Sequence, residues 1–370
     1  MIIGVPKEIK EHEYRVSITP RGVEELKRDG HTILVETEAG SGSGFSDEEY
    51  LKADADIVDR RSLFDKSDLI VKVKEPLFSE YSLLKENQAL FAYLHLASNK
   101  ELTGILIEKK ITALGYETLE KDGSLPLLTP MSEIAGRMAP IVGAFYLQRV
   151  HGGSGRLPSG AVGVRPAKAL ILGAGVVGFN AARVCIGLGM EVVIMNRGVE
   201  RLQKVDEVFM GRVRTLPLTR HNIVQELNDS DIIIGAVLVP GGRTPLLIRR
   251  EDLKIMRRGS VLVDVSVDQG GCAETSRPTT HDNPIYEVDG IIHYAVANMP
   301  GAYPRTSTIA LTNATLPFIR TIANKGIEET LRNDPVLKSA LNTCRGCIVH
   351  KALADSTGIE CKDIDKMLSR

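Results

Sequence analysis

The sequence predicts an α/β protein made of two Rossmann-like, doubly wound domains, the first of them discontinuous. Three observations lead there. Short apolar runs with strand character alternate with helical segments along the chain, and such alternation builds parallel sheets. Residues 168–197 hold a strand, the turn Gly173-Ala174-Gly175-Val176-Val177-Gly178, an Ala-rich helix and a second apolar strand, the order a dinucleotide site requires. The chain has 370 residues, 43% of them hydrophobic, enough for more than one core. The domains expected are 1–129 with 305–370 for the substrate and 130–304 for the dinucleotide.

In chain order, residues 2–5 read as a strand. Thr19-Pro20 opens a helix that runs to Gly30, with a capping hydroxyl followed by proline at the first helical position. A strand at 32–36, the glycine loop Gly40-Ser41-Gly42-Ser43-Gly44, a helix at 47–53 and a strand at 69–73 follow. Pro76 stops that strand. The strand at 89–94 runs straight into His95, and one at 112–116 closes the first α/β unit. Residues 117–129 (ETLEKDGSLPLLT) change character and read as a connection between domains. Pro130 opens a long helix with Ile134, Met138, Ile141, Val142, Phe145 and Leu147 as its apolar positions. After the Gly/Pro-rich loop at 152–166, βα alternation continues to about Ala297, with later strands at 232–237 and 260–264. An apolar helix at 307–323 and a helical, amphipathic tail to Arg370 complete the chain. The tail is too short for a third core, so it is expected to return to the first domain.

In the glycine turn, Gly173 permits the tight bend, Gly175 lets a pyrophosphate reach backbone N–H groups at the positive helix end, and Gly178 lets helix and strand pack closely. The strand after the helix ends in Asn196-Arg197. An NAD site carries a carboxylate there, which accepts hydrogen bonds from the ribose hydroxyls and repels a 2′-phosphate. An amide followed by a guanidinium removes the repulsion and supplies a fork donor. Arg197 can equally stack on adenine or lie in water, so NAD and NADP both stay open.

Composition excludes several classes. A net charge of −1 gives no global attraction to nucleic acid or anionic membrane. No apolar run reaches the roughly 18 residues of a membrane span, and the chain opens on MIIGVP without a signal peptide. A cytoplasmic protein is expected. Five cysteines, an odd number, argue against a disulfide framework. Cys344-x-x-Cys347 with His350 and Cys361 offers four possible zinc ligands. Structural zinc sites usually pair two such knuckles, however, and the helical pattern favours ordinary thiols, so no metal is expected.

Ligands of open α/β sheets bind beyond the carboxyl ends of the strands. Arg15, Lys74, His95 and Asp268 stand at or just after such ends. Arg15, in Glu13-Tyr14-Arg15-Val16-Ser17 between two expected strands, offers a fork for a substrate carboxylate, or a surface ion pair to Glu11 or Glu13, the commoner use. Alternation puts Lys72 and Lys74 on one face, and spacing does not choose between them. His95 suits proton transfer at neutral pH, although a single histidine at a strand end is more often structural. Asp264 and Asp268 flank Val265-Ser266-Val267, ahead of Gly270-Gly271, where a carboxylate would face the nicotinamide end of a cofactor. Arg277, Arg305 and Asn298 are weaker candidates in nearby loops.

With these pieces in order, the chain resembles the alanine dehydrogenase superfamily, which also includes the NAD-binding subunit of proton-translocating transhydrogenase. The blocks that carry the resemblance are Ile3-Gly4-Val5-Pro6-Lys7-Glu8, Arg15-Val16-Ser17-Ile18-Thr19-Pro20, Val73-Lys74-Glu75-Pro76, His95-Leu96-Ala97, Pro130-Met131-Ser132-Glu133, Gly235-Ala236-Val237-Leu238-Val239-Pro240-Gly241, Asp268-Gln269-Gly270-Gly271, Val296-Ala297-Asn298-Met299-Pro300, Thr306-Ser307-Thr308 and Asn313-Ala314-Thr315. The resemblance implies that Arg15 and Lys74 bind the substrate carboxylate and carbonyl, and that His95 and Asp268 are the acid/base pair. It thereby selects Lys74 over Lys72 and Asp268 over Asp264. It implies a cofactor pocket lined by Ser132, Val176, Val237, Leu238, Val267, Asn298 and Met299, with Arg201 near the adenosine and Asn298 also toward the substrate. The implied activity is reversible oxidative deamination of L-alanine to pyruvate and ammonium by a homohexamer, with hydride transfer to NAD or NADP. Family members usually carry Asp where this chain has Asn196. Two other readings remain: a cofactor-binding component that passes hydride to a partner protein, and a saccharopine- or opine-type reductive amination joining an amino acid to a keto acid.

Overall fold

The computed structural model describes residues 1–237 and 244–368. In chain order its strands are β1 (Ile2–Val5), β2 (Thr32–Glu36), β3 (Asp56–Val58), β4 (Leu69–Val71), β5 (Ala89–Ala92), β6 (Thr112–Gly115), β7 (Lys168–Leu172), β8 (Glu191–Asn196), β9 (Arg214–Pro217), β10 (Ile232–Gly235), β11 (Val261–Asp264), β12 (Ile285–Val288), β13 (Ile291–Tyr294), β14 (Leu341–Cys344) and β15 (Cys347–Ile348). The chain divides into two compact units, Met1–Met131 with Tyr303–Arg370, and Ser132–Ala302. The first holds a sheet of order β15-β14-β6-β5-β4-β1-β2-β3, the second a sheet of order β12-β13-β11-β10-β7-β8-β9. Each contains the doubly wound core order, reversing direction between β1 and β4 and between β7 and β10.

Pairing from β1 through β6 is parallel throughout, as is pairing among β7 to β11 and β13. Antiparallel pairs occur at one edge of each sheet: β12 on β13, β14 on β6 and β15 on β14. The tail is therefore not wholly helical, as its pattern suggests; residues 341–348 form a hairpin that extends the first sheet. Arg345 and Gly346, both at positive φ, make its turn, and Cys344 pairs opposite Cys347 in the ladder. A run this short carries too few residues for its period to separate strand from helix.

The cores are packed helix on sheet. In the first unit Leu63 and Phe64 from the helix Arg60–Lys66, and Leu102 and Leu106 from the helix Lys100–Glu108, lie fully buried against Ile70, Leu90 and Ala113. Each such side chain contributes roughly 1.5–3 kcal/mol by leaving water. In the second, Leu170, Val193, Ile233 and Leu262 carry the corresponding layer. Helix entry follows the sequence closely: Thr19 caps Pro20–Arg28 by accepting from the Gly22 N–H at 3.2 Å. The long helix begins at Thr129 and ends at Tyr146, with Ile134 and Met138 buried but Ile141 and Phe145 exposed. The later apolar helix spans Pro304–Lys325.

Four expected strands stop early, β4 at Val71, β5 at Ala92, β6 at Gly115 and β10 at Gly235. The residue that follows each ladder is still buried, Lys72, Tyr93, Tyr116 and Ala236 in turn. Lys72 illustrates this. It is fully buried, with its Nζ 2.9 Å from Glu80 and 3.3 Å from Glu8. A second oxygen of Glu8 accepts the backbone N–H groups of Val73 at 2.6 Å and Lys74 at 3.3 Å. One buried carboxylate thus neutralises Lys72 and fixes the path of the chain into Lys74. Burial pushes the Glu8 pKa above the usual carboxylate value, against the pull of Lys72.

Candidate active site

Four adjacent strands of the first sheet, β6, β5, β4 and β1, end on loops that carry polar side chains. Arg15 lies in the loop between β1 and the helix Pro20–Arg28, and not between two strands as the sequence suggests. That loop is tied down by side chains: Thr308 accepts the Val16 N–H at 3.1 Å, and the Ser17 hydroxyl donates to the Val71 carbonyl at 2.6 Å. Arg15 is 2% exposed. Its Nε and Nη2 donate to the two oxygens of Glu13 at 2.6 and 2.5 Å, and Nη1 reaches the Met131 sulfur at 2.9 Å. The ion pair to Glu13 that the sequence allows is present, but in the interior. Burial opposes the charge; Glu13 more than offsets it, and the Arg15 pKa rises above its ordinary value.

Lys74 follows β4 and is half-buried, its Nζ 5.9 Å from the centre of the Tyr93 ring. Among the described residues no carboxylate comes within ion-pair range of it, in contrast to Lys72. Burial, reinforced by the charge of Arg15, holds its pKa below the ordinary lysine value. His95 follows β5, with its ring nearly parallel to that of Tyr93 at 6.3 Å. Its backbone is left-handed at φ 49° and ψ 35°, a conformation that costs a non-glycine residue roughly 1–2 kcal/mol. The cost is met by Glu117, just past β6, whose carboxylate accepts the N–H groups of Leu94 at 3.0 Å and His95 at 2.7 Å. The His95 side chain has an open face, yet crowding of the rest of the ring by protein atoms lowers its pKa; Glu117 pulls it upward and Lys74 downward. Tyr93, whose hydroxyl donates to the Leu127 carbonyl at 2.5 Å, thus has both the Lys74 ammonium and the His95 imidazole beside its ring.

The second unit carries the glycine turn and the remaining candidates. A Cβ on Gly178 would stand 1.8 Å from the Gly173 carbonyl oxygen, and one on Gly173, at φ 113°, would meet the Ala236 carbonyl at 2.5 Å. Gly175 is the N-cap of the helix Val176–Gly187, and Val176 is exposed at its first position. This is a cradle of bare N–H groups that fits a pyrophosphate. At the tip of β8 the Asn196 Oδ1 accepts the Ala174 N–H at 3.2 Å and its Nδ2 donates to the Gly198 carbonyl at 3.0 Å. Arg197 and Arg201 are exposed.

After β11 the two aspartates separate cleanly. Asp264 is buried and accepts from the N–H groups of Ser266 at 3.0 Å and Cys272 at 2.8 Å and from the Ser276 hydroxyl at 2.5 Å. Asp268 is exposed in the following 3-10 turn. Val267 and Met299 are buried, Ser132 and Val237 half-buried. The Val237 carbonyl is held by the Ser266 hydroxyl at 2.8 Å. Asn298 takes a left-handed backbone, φ 64°, with its carbonyl 3.3 Å from His281 Nε2. Leu238 lies outside the described residues. Arg277 stacks on Tyr286 at 4.3 Å, and Arg305 caps the Ser43 and Gly44 carbonyls; neither adds to these sets. Among the described residues Cys344, Cys347, His350 and Cys361 do not converge to metal-binding distance.

Two family models cover nearly all of the chain, the alanine dehydrogenase/PNT N-terminal domain over residues 4–135 and the alanine dehydrogenase/PNT C-terminal domain over residues 139–351. The chain belongs to the alanine dehydrogenase/PNT family. It is 49% identical to an alanine dehydrogenase of Methanococcus maripaludis and 50% identical to one of Staphylococcus epidermidis, in each case over the whole of both chains. Among solved structures it matches an L-alanine dehydrogenase with a TM-score of 0.94 at 48% identity, covering 97% of this chain and 99% of that one. A transhydrogenase from Sinorhizobium meliloti matches with a TM-score of 0.82 at 26% identity, over 95% of this chain and 100% of that one.

Within this alanine dehydrogenase/PNT chain, sequence reasoning missed Glu13 as a buried partner, and Tyr93 and Glu117 altogether. Glu117 was within reach of the rule that selected Lys74 and His95, since it too follows the carboxyl end of a strand. Gly178 supports a direct prediction: Gly178→Ala drives a Cβ into backbone that cannot swing aside, so the affinity for a nicotinamide dinucleotide should fall at least tenfold by calorimetry. Unchanged affinity would mean that the turn does not cradle a phosphate.

Proposed function

We propose that the chain is an L-alanine dehydrogenase, catalysing reversible oxidative deamination of L-alanine to pyruvate and ammonium with a nicotinamide dinucleotide. The observation that carries the reading is the grouping of Arg15, Lys74 and His95 around Tyr93 in a chain that matches an alanine dehydrogenase over the whole of both sequences. Residues 1–129 with 305–370 serve the substrate and 130–304 the dinucleotide. The family's cofactor, when bound, supplies and recovers the hydride; Gly173, Gly175, Val176 and Gly178 hold its pyrophosphate, and Ser132, Val237, Val267, Asn298 and Met299 line its pocket.

Arg15 pins the substrate carboxylate. Glu13 engages the Nε–Nη2 edge of the guanidinium, and Nη1 reaches the Met131 thioether, a weak acceptor that a carboxylate outcompetes. Lys74 donates to the keto oxygen, where its depressed pKa eases proton sharing. His95 and Asp268 move protons during ammonia addition and loss of water. The substrate is small, so discrimination comes from orientation by two cations and a close wall around the methyl group. We extend the reading to a cytoplasmic homohexamer; no helix among the described residues is long and apolar enough to cross a membrane.

Incubating the pure protein with pyruvate, ammonium and reduced cofactor should consume the cofactor and yield L-alanine. Consumption only when lysine or ornithine replaces ammonium would identify an opine- or saccharopine-type enzyme instead. No consumption with any amine would point to a hydride-passing component. Light scattering on the same sample tests the hexamer.

A further inference from the structure

We propose that the tip of β8 is a 2′-phosphate site, so that this chain prefers NADP to NAD; the inference rests on the dinucleotide reading above. An NAD site needs a carboxylate at this tip, with lone pairs left for two ribose hydroxyls and a charge that repels phosphate. Asn196 supplies no charge and less acceptor capacity. Of the two lone pairs on its Oδ1, one accepts the Ala174 N–H at 3.2 Å, which ties the tip of β8 to the glycine turn, and one Nδ2 hydrogen is spent on the Gly198 carbonyl at 3.0 Å. What remains is one lone pair and the second Nδ2 hydrogen, a donor to phosphate oxygens that a carboxylate cannot offer.

The charges around the tip agree. Arg197 is exposed and makes no ion pair among the described residues, so its fork is available for bidentate phosphate recognition. Arg201, from the helix Val199–Phe209, brings a second guanidinium to the turn, its Nη1 3.5 Å from where a Cβ on Gly175 would stand. The opposing charge nearby is Glu200, whose carboxylate oxygen lies 3.0 Å from the Cβ position of Gly198. Neither arginine is paired with it. Two guanidinium groups against one carboxylate leave the tip with a single net positive charge, where this chain with aspartate in place of Asn196 would be neutral there.

The test separates the phosphate site from the nucleotide site and from catalysis. Calorimetry on the full chain should give 2′,5′-ADP at least tenfold tighter binding than 5′-AMP. Steady-state kcat/KM should favour NADPH over NADH in the same sense. Asn196→Asp and Arg197→Asp should each cut both ratios by tenfold or more, and together reverse them. Equal affinity for the two adenine nucleotides, or ratios that neither substitution moves, overturns the 2′-phosphate site while leaving the dinucleotide reading intact. If the wild-type chain binds neither nucleotide, the dinucleotide reading falls and this inference with it.

Discussion

His95→Ala is expected to lower turnover by roughly 10²–10⁴-fold, the range lost when a positioned acid/base group is removed, while dinucleotide affinity stays within about twofold. The expectation rests on more than the residue type. A left-handed backbone at a strand end, φ 49°, is a conformation that persists only where neighbours over-determine it, and here the Glu117 carboxylate grips two successive N–H groups to do so. His95→Asn is the control for that backbone, because asparagine tolerates the left-handed region. It should keep the melting temperature and lose activity as alanine does. The pH profile adds a sign. Crowding of the ring lowers the His95 pKa, so the imidazole is neutral, and able to act as base, down to a pH below the ordinary histidine value of about 6.5. In alanine oxidation kcat/KM should therefore fall only as pH drops through that lowered value. Glu117→Gln removes a charge that raises the pKa, and the acid limb should move lower still. Near-intact turnover in both His95 variants would end the acid/base assignment.

Much of this arrangement could be read from residues alone, and the parts that could not share a physical reason. The parallel core of both sheets, the glycine turn and the Thr19 cap follow from local rules: period, punctuation by Gly and Pro, and a hydroxyl ahead of proline. The rule that ligands gather beyond strand ends picked out Lys74 and His95. It could not separate Lys72 from Lys74, because the strand stops at Val71 and what distinguishes the two lysines is tertiary. Glu8 and Glu80 converge on Lys72 from elsewhere in the chain, and alternation is blind to both. Asp264 and Asp268 differ for the same reason: the backbone folds round the first through Ser266, Cys272 and Ser276 and leaves the second in solvent. The hairpin at 341–348 was illegible because β14 takes its identity from β6, against which it pairs, and β15 from β14, and not from their own few residues.

Arg15→Met is the second large effect, and its value lies in separating two jobs of one side chain. The substitution leaves Glu13 buried without its counter-ion, and breaking a buried pair from one side typically costs about 3–5 kcal/mol. For a unit of this size that is a fall of roughly 10 °C in melting temperature. Activity would be lost too, but a destabilised enzyme losing activity says nothing about substrate. The double variant Glu13→Leu with Arg15→Met resolves the ambiguity. Replacing a whole buried ion pair by apolar residues of similar volume is often neutral or stabilising, so the double variant should recover most of the lost melting temperature. If Arg15 holds the substrate carboxylate, kcat/KM for pyruvate stays down by roughly 10²–10³-fold, the loss of a charged contact worth about 3–4 kcal/mol, because no apolar side chain replaces that grip. Recovery of kcat/KM together with stability would instead make Arg15 a structural partner of Glu13 and leave the substrate to Lys74 alone.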